Sequence, residues 1–302
     1  MSKKMRIHIY IAMAVFLGLF IAGSFVDLDV SRNIFIKDHG FGIAVAALSM
    51  NVGYAVMAIM GGIVCFHSLK IAKVSWERIL TGLFALALFG CSVYFDGKEF
   101  FGENGWYGVA PEWVGYIIAL PIMGGCSYLG YYLGKKANNP RLIFLLIIGA
   151  VFIGLSLIVG TTIVKNIFHR PRYRILVHDG YVGFHAWWER CTNYKEIIDS
   201  TGILKEEFKS FPSGHTSVCA LPMLFIIILP FILNKEVKFE ILYFYIALIY
   251  ALFVAYTRVV VGAHFMSDVG MGGLLTTTCL YIYYEIILHK PELYEKQVVE
   301  IA

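Results

Sequence analysis

Hydrophobic residues run along this chain in eight long blocks, near 7–26, 43–67, 79–95, 113–134, 142–164, 216–233, 240–260 and 265–288, with polar stretches between them. A helix of roughly 20 apolar residues crosses the hydrocarbon of a bilayer, so the pattern predicts an all-α, polytopic membrane helix bundle of eight transmembrane helices. The first block follows Lys3, Lys4 and Arg6 and has the shape of a signal-peptide core, but it continues to Val26 without a small-residue cleavage site. It is expected to stay as an anchor.

The polar stretches between the blocks set an orientation. With the N-terminus in the cytoplasm, the inner segments hold Lys3, Lys4, Arg6, Lys70, Lys73, Arg78, Lys135, Lys136, Arg141, Lys235, Lys238, Lys290 and Lys296, and the two short outer loops hold only Arg32, Lys37 and Lys98. This is the positive-inside asymmetry, and it predicts cytoplasmic N- and C-termini. The stretch 96–112 carries Asp96, Glu99, Glu103 and Glu112 among Phe100, Phe101, Trp106 and Tyr107, which reads as a wet aromatic loop at headgroup level. The one long polar segment, 175–210, includes Trp187, Trp188, Glu189 and Arg190 and a helix-like stretch at 197–208. Loops of that length in a compact protein are commonly functional. No internal repeat is visible. The expected organisation is N-terminal helices over 1–140, a catalytic core over 141–290 with its outer loop at 165–215, and a cytoplasmic tail at 291–302.

Composition agrees with a membrane protein: 59% of residues are hydrophobic and 15% charged, against about a quarter charged in soluble domains. The net charge of +4 is spread along the chain, which leaves no footprint for nucleic acid. Six cysteines, Cys65, Cys91, Cys126, Cys191, Cys219 and Cys279, show no metal-binding spacing and read as packing residues.

Three polar clusters at block ends carry the chemistry. They are Lys165 to Tyr173, the stretch Pro212-Ser213-Gly214-His215 at the head of the sixth block, and Thr257 to Asp268. Moving a phosphoryl group requires neutralised negative charge, a nucleophile and an acid for the leaving oxygen. Lys165, Arg172 and Arg258 supply the charge, with Arg170 a fourth candidate, and the backbone amides of Ser213 and Gly214 add oriented donors. Pro212 and Gly214 also suit a plain helix entry with Ser213 as its cap. His264 and Asp268, four apart, share one helix face, so the carboxylate could hold one ring nitrogen while the other acts as nucleophile. His215, beside the bound anion, suits a general acid. His169, His178 and His185 read as ordinary loop residues, and Lys165 and Arg258 taken singly could merely reach toward headgroups.

With these residues in place, the sequence resembles the phosphatidic acid phosphatase type 2 (PAP2) superfamily, whose motifs are Lys-x6-Arg-Pro, Pro-Ser-Gly-His and Ser-Arg-x5-His-x3-Asp. The resemblance covers about 165–268. It implies that Lys165, Arg172, Ser213, Gly214 and Arg258 hold phosphate, that His264 attacks phosphorus to form a phosphohistidine, that Asp268 orients it, and that His215 protonates the leaving group. It further implies that no metal or other cofactor is needed. Tyr173 stands where the family has Pro, so Arg170 could share the work of Arg172; Thr257 replaces Ser and keeps the hydroxyl.

The expected function is thus a metal-independent membrane phosphatase acting on a lipid phosphate or polyprenyl diphosphate at the outer face of a bacterial plasma membrane. The partners expected are the phosphorylated lipid and the surrounding membrane lipids. A lipid phosphotransferase would use the same phosphoenzyme with a different acceptor. A transporter would instead place ionisable groups at mid-membrane and broken helices in two related halves, and the spans are nearly free of charge.

Overall fold

The computed structural model describes residues 5–102, 109–178, 183–233, 235 and 237–290, and every regular element among them is helical. In chain order they are α1 (Met5–Ile34), α2 (Gly40–Phe66), α3 (Ser75–Phe101), α4 (Glu112–Ala137), α5 (Leu142–Leu155) and α6 (Lys165–Phe168). A π-helical stretch, Ser156–Val164, joins α5 to α6, and a π turn, His67–Ile71, extends α2. There follow α7 (Tyr173–His178), α8 (Tyr194–Thr201), a 3-10 turn (Lys205–Phe208), α9 (Gly214–Cys219), α10 (Leu221–Leu233), α11 (Glu240–Val260) and α12 (Met266–His289). Among the described residues eight helical spans are long and apolar enough to cross a membrane, one for each block in the sequence, and the chain is an integral membrane protein. Lys3, Lys4, Glu103, Trp106, Tyr107 and the tail 291–302 lie outside the described residues.

Two helices run past the ends that hydropathy assigned them. α1 continues from Val26 to Ile34, because Asp27, the charge that appeared to end it, is buried against Arg170. α3 likewise continues through Phe101, so Asp96, Glu99, Phe100 and Phe101 belong to a helix and not to an aromatic loop. Ser92, Asp96 and Glu99, spaced four and three apart, form one polar stripe along it. A charge ends a hydrophobic run, but it ends a helix only when it has nowhere to be satisfied.

α1 packs along α12, and α2 packs against both α3 and α4; α9 touches α2, α11 and α12 and so sits in the middle of the bundle. Met60, Ile63, Leu145, Met223, Ile227 and Phe244 fill the interior, while Phe25, Leu86 and Tyr128 point outward. In a lipid solvent those outward side chains are as well placed as buried ones, so cohesion comes from close packing and from interhelical hydrogen bonds. The Tyr283 hydroxyl donates to the Leu145 carbonyl at 2.9 Å, and Ser156 and Thr276 bond at 2.8 Å.

The long polar segment folds into short helices around Ile175, Cys191, Ile197 and Phe208. The helix expected over 197–208 is instead α8 and a separate 3-10 turn, divided by Gly202 at φ 73°. A left-handed residue ends a helix at little cost only where it lacks a Cβ.

Candidate active site

The first cluster is built by a reversal. α6 stops at His169, whose left-handed φ of 47° turns the chain and whose ring stacks on Tyr194 with centroids 3.7 Å apart. Pro171 then separates two arginines that go to different places. The Arg172 N–H donates to the Glu207 carbonyl at 2.9 Å and its guanidinium lies 3.8 Å from the Glu207 carboxylate. Glu207 is shared with Arg174, which donates to it through Nε at 2.7 Å and again through Nη2. Burial alone would raise the Glu207 carboxyl, but the Arg174 hydrogen bonds and the charges of Arg172 and Arg174 hold it below the usual carboxylate range.

Arg170 departs from its expected place among the phosphate-facing cations. Its Nη1 donates to Asp268 Oδ1 at 2.5 Å and to Ser267 Oγ at 2.9 Å, its Nη2 to Asp27 Oδ2 at 2.9 Å, and its Nε to the His185 carbonyl at 2.9 Å. The guanidinium also lies over the Phe265 ring, 4.1 Å from its centroid. Each of its nitrogens is therefore committed within the protein. Asp27 in turn accepts from the Ser267 N–H at 2.8 Å and from the Ser267 hydroxyl, which pins the first turn of α12 to α1.

The second cluster enters α9 with Ser213 as its N-cap: the Thr216 N–H donates to Ser213 Oγ at 3.3 Å. The Ser213 N–H is also spent, donating to the Asp268 carbonyl at 3.0 Å. This corrects the expectation that the Ser213 amide is aimed at a ligand; its hydroxyl hydrogen is the donor that it retains. α12 passes so close that a Cβ on Gly272 would lie 2.3 Å from the Ser213 carbonyl oxygen. α9 breaks from α10 after Ala220, where Pro222 has no N–H to give the preceding turn.

The third cluster lies in the turn between α11 and α12. The His264 Nδ1 is 2.6 Å from the Ser210 carbonyl and 3.8 Å from Asp268 Oδ2. A carbonyl only accepts, so Nδ1 carries the proton and the neutral ring keeps its lone pair on Nε2. The Nδ1–H expected to donate to Asp268 thus donates to the Ser210 carbonyl, with the carboxylate further out. Asp268 accepts from the Phe265 N–H at 2.7 Å, from the Ser210 hydroxyl and from Arg170. Burial, against the pull of Asp268 and helped by Lys165 and Arg172, pushes His264 down to about 3.

The clusters meet. The rings of His215 and His264 are 6.4 Å apart, and Arg258, Lys165 and Arg172 lie close enough to His215 to act on it by charge. Arg258 is 1% exposed, and its Nε and Nη1, like Nε2 of His215, are buried without a hydrogen-bond partner among the described residues. Thr257 gives its hydroxyl to the Val254 carbonyl at 2.8 Å. Tyr173, in place of proline, opens α7 and packs edge-on against Phe35 and Phe265.

A cavity of about 480 Å³ opens onto this group. One end is polar, with Glu99, Lys165, Glu206, Gly214 and His215; the other runs between Tyr54, Met57, Leu88, Ile153 and Leu157. Arg172, Arg258 and His264 do not line it. Glu99, Glu206 and Asp27 were not among the sequence-derived candidates. The stripe Ser92, Asp96, Glu99 and the four-residue spacing of Gly23, Asp27 and Ser31 were the available signals, since both put polar or small residues on one helix face.

Basic and imidazole side chains gathered inside a bundle of membrane-crossing helices define a membrane enzyme that handles phosphate. Residues 142–291 match the PAP2 superfamily, which points to a phosphatase of lipid phosphates in general. No curated protein and no solved structure matches the chain.

Proposed function

We propose that the protein hydrolyses a lipid phosphate or polyprenyl diphosphate at the extracytoplasmic face of the membrane, through a phosphohistidine on His264. The observation that carries this reading is a cavity that is polar at one end, where Lys165 and His215 lie, and apolar at the other, where Met57 and Ile153 lie. A phosphorylated headgroup with its chain is a molecule of that polarity. A soluble phosphate ester would have no use for the apolar end.

In this mechanism Lys165, Arg172 and Arg258 neutralise the phosphoryl oxygens, with the Gly214 amide and the Ser213 hydroxyl as further donors. His264 Nε2 forms the bond to phosphorus as the bond to the lipid oxygen breaks, and the proton on His215 goes to that oxygen. Asp268 balances the imidazolium that results. Water then attacks phosphorus and gives a proton to His215; the phosphorus–nitrogen bond breaks and the site is reset. The three cations meet the need for positive charge, so the reaction is expected to run without a metal.

The test is phosphate release from a panel of lipid phosphates and polyprenyl diphosphates in detergent, with chelator present. Release that vanadate inhibits and that His264→Ala abolishes is the expected result. Absence of release from every lipid phosphate would overturn the reading. Complete loss in chelator would overturn the metal-free scheme.

A further inference from the structure

Glu99 stands on α3, outside residues 142–291 that match the family, yet its Oε2 lies 3.7 Å from Nε2 of His215. At that separation the contact is electrostatic and not a hydrogen bond. We propose that Glu99 is a positioning residue for the reaction: its carboxylate keeps the proton on His215 and the ring turned toward the leaving oxygen. The inference rests on the reading of His215 as the general acid.

A protonated His215 is one more positive charge in a buried group that already contains Lys165 from α6, Arg172 from the following turn and Arg258 from α11. Like charges at close range disfavour that proton, and a carboxylate beside the ring offsets them. Among the described residues two carboxylates line the cavity, Glu99 and Glu206. Glu206 is bonded to Lys209 at 2.6 Å, which takes up much of its charge. Glu99 is the one of the two that lies beside His215. The groups that bear on Glu99 are Lys98 on its own helix, Lys165, Glu206 and Arg258, with Asp96 one turn back; α2 brings Tyr54 to the same cavity.

The proton balance is that of the proposed cycle. His215 gives its proton to the departing lipid oxygen and regains one from the attacking water. Glu99 remains a carboxylate throughout and is neither donor nor acceptor of the transferred proton. Its effect is therefore felt only where the leaving group needs an acid. A lipid alkoxide needs one, and a nitrophenolate departs without it.

The experiment compares kcat/KM for a long-chain lipid phosphate and for 4-nitrophenyl phosphate in Glu99→Gln, Glu99→Asp, His215→Ala and the Glu99→Gln/His215→Ala double variant. The expected result for Glu99→Gln is a loss of about tenfold or more with the lipid and little change with the aryl ester, whose turnover also reports an intact fold. Its alkaline limb with the lipid moves to lower pH, because His215 releases its proton more readily once the carboxylate is gone. Glu99→Asp recovers part of the loss. Adding Glu99→Gln to His215→Ala costs nothing further. Equal losses on both substrates, an unmoved limb or additive losses in the double variant would overturn the proposal. If His215→Ala itself fails to separate the two substrates, the acid assignment falls and this inference with it; if His215→Ala separates them and Glu99→Gln does not, this inference falls alone.

Discussion

Arg170 and Arg172 differ by two positions and by everything that surrounds them. Arg170 is bonded to two buried carboxylates, and removing one partner of such a group costs about 3–5 kcal/mol because it leaves the others uncompensated. Arg172→Ala removes a charge proposed to act on the phosphoryl group, an effect of roughly 3 kcal/mol or about a hundredfold in rate. The expected contrast is that Arg172→Ala weakens vanadate inhibition, while Arg170→Ala leaves it intact and lowers the melting temperature in detergent by more than Arg172→Ala does. A stable Arg170→Ala protein with lost vanadate binding would return Arg170 to the phosphate. His264 and His215 separate by step. His264→Ala should form no phosphoenzyme with any substrate, whereas His215→Ala should still be labelled by a pulse of activated aryl phosphate. Because His264 is held down to about 3, its lone pair is present throughout the ordinary range, and protonation removes it only as the pH falls toward that value. The aryl-phosphate rate in His215→Ala should accordingly show no acid limb from the nucleophile between pH 5 and 8; a limb near the ordinary histidine value would mean that His264 is not buried as described.

At the scale of helices, the site depends on how close α12 comes to the entry of α9. Gly272 permits it, since a Cβ there would stand 2.3 Å from the Ser213 carbonyl, whereas Gly124 on α4 has nothing within 4 Å of an added Cβ. Gly272→Ala should push the two elements apart and lower activity several-fold or more. Gly124→Ala should leave activity intact and raise stability by about 0.5–1 kcal/mol through helix propensity alone. Activity and detergent melting curves of the pair check this, and a fully active Gly272→Ala would show that the contact is not needed. The same scale explains what the sequence made legible. Lys165, Arg172, His215, Arg258, His264 and Asp268 could be picked out because each cluster is local, its spacing set by one turn or one helix entry. Asp27 and Glu99 could not be, because what gives them meaning is a partner far along the chain: Asp27 meets Arg170 across 143 positions, and Glu99 meets His215. Hydropathy also stopped α1 short at Asp27 and α3 short at Asp96, one turn before Glu99. The Ser210 carbonyl on His264 was beyond reach for a different reason: a backbone acceptor leaves no mark on residue type.

For the whole molecule, the helix count follows from the bilayer, which tolerates only elements that satisfy their own backbone, so eight apolar blocks become eight spans. The proposed orientation rests on charge, because loops rich in Lys and Arg stay in the cytoplasm. Lys235 and Lys238 lie between α10 and α11, and Lys70 and Lys73 between α2 and α3, while the turns beside the three clusters belong to the opposite end of the bundle. On this argument the proposed orientation turns Lys165, His215 and His264 away from the cytoplasm, and the proposed substrate is a phosphorylated lipid of the outer leaflet. The test places single cysteines at Ser200, exposed on α8, and at Lys238, exposed before α11, and treats intact cells with an impermeant thiol reagent. Above the background of the parent chain, Ser200→Cys should be labelled and Lys238→Cys should react only after the cells are opened. The opposite result would put the catalytic end in the cytoplasm, and the substrate would then have to be sought among lipids of the inner leaflet.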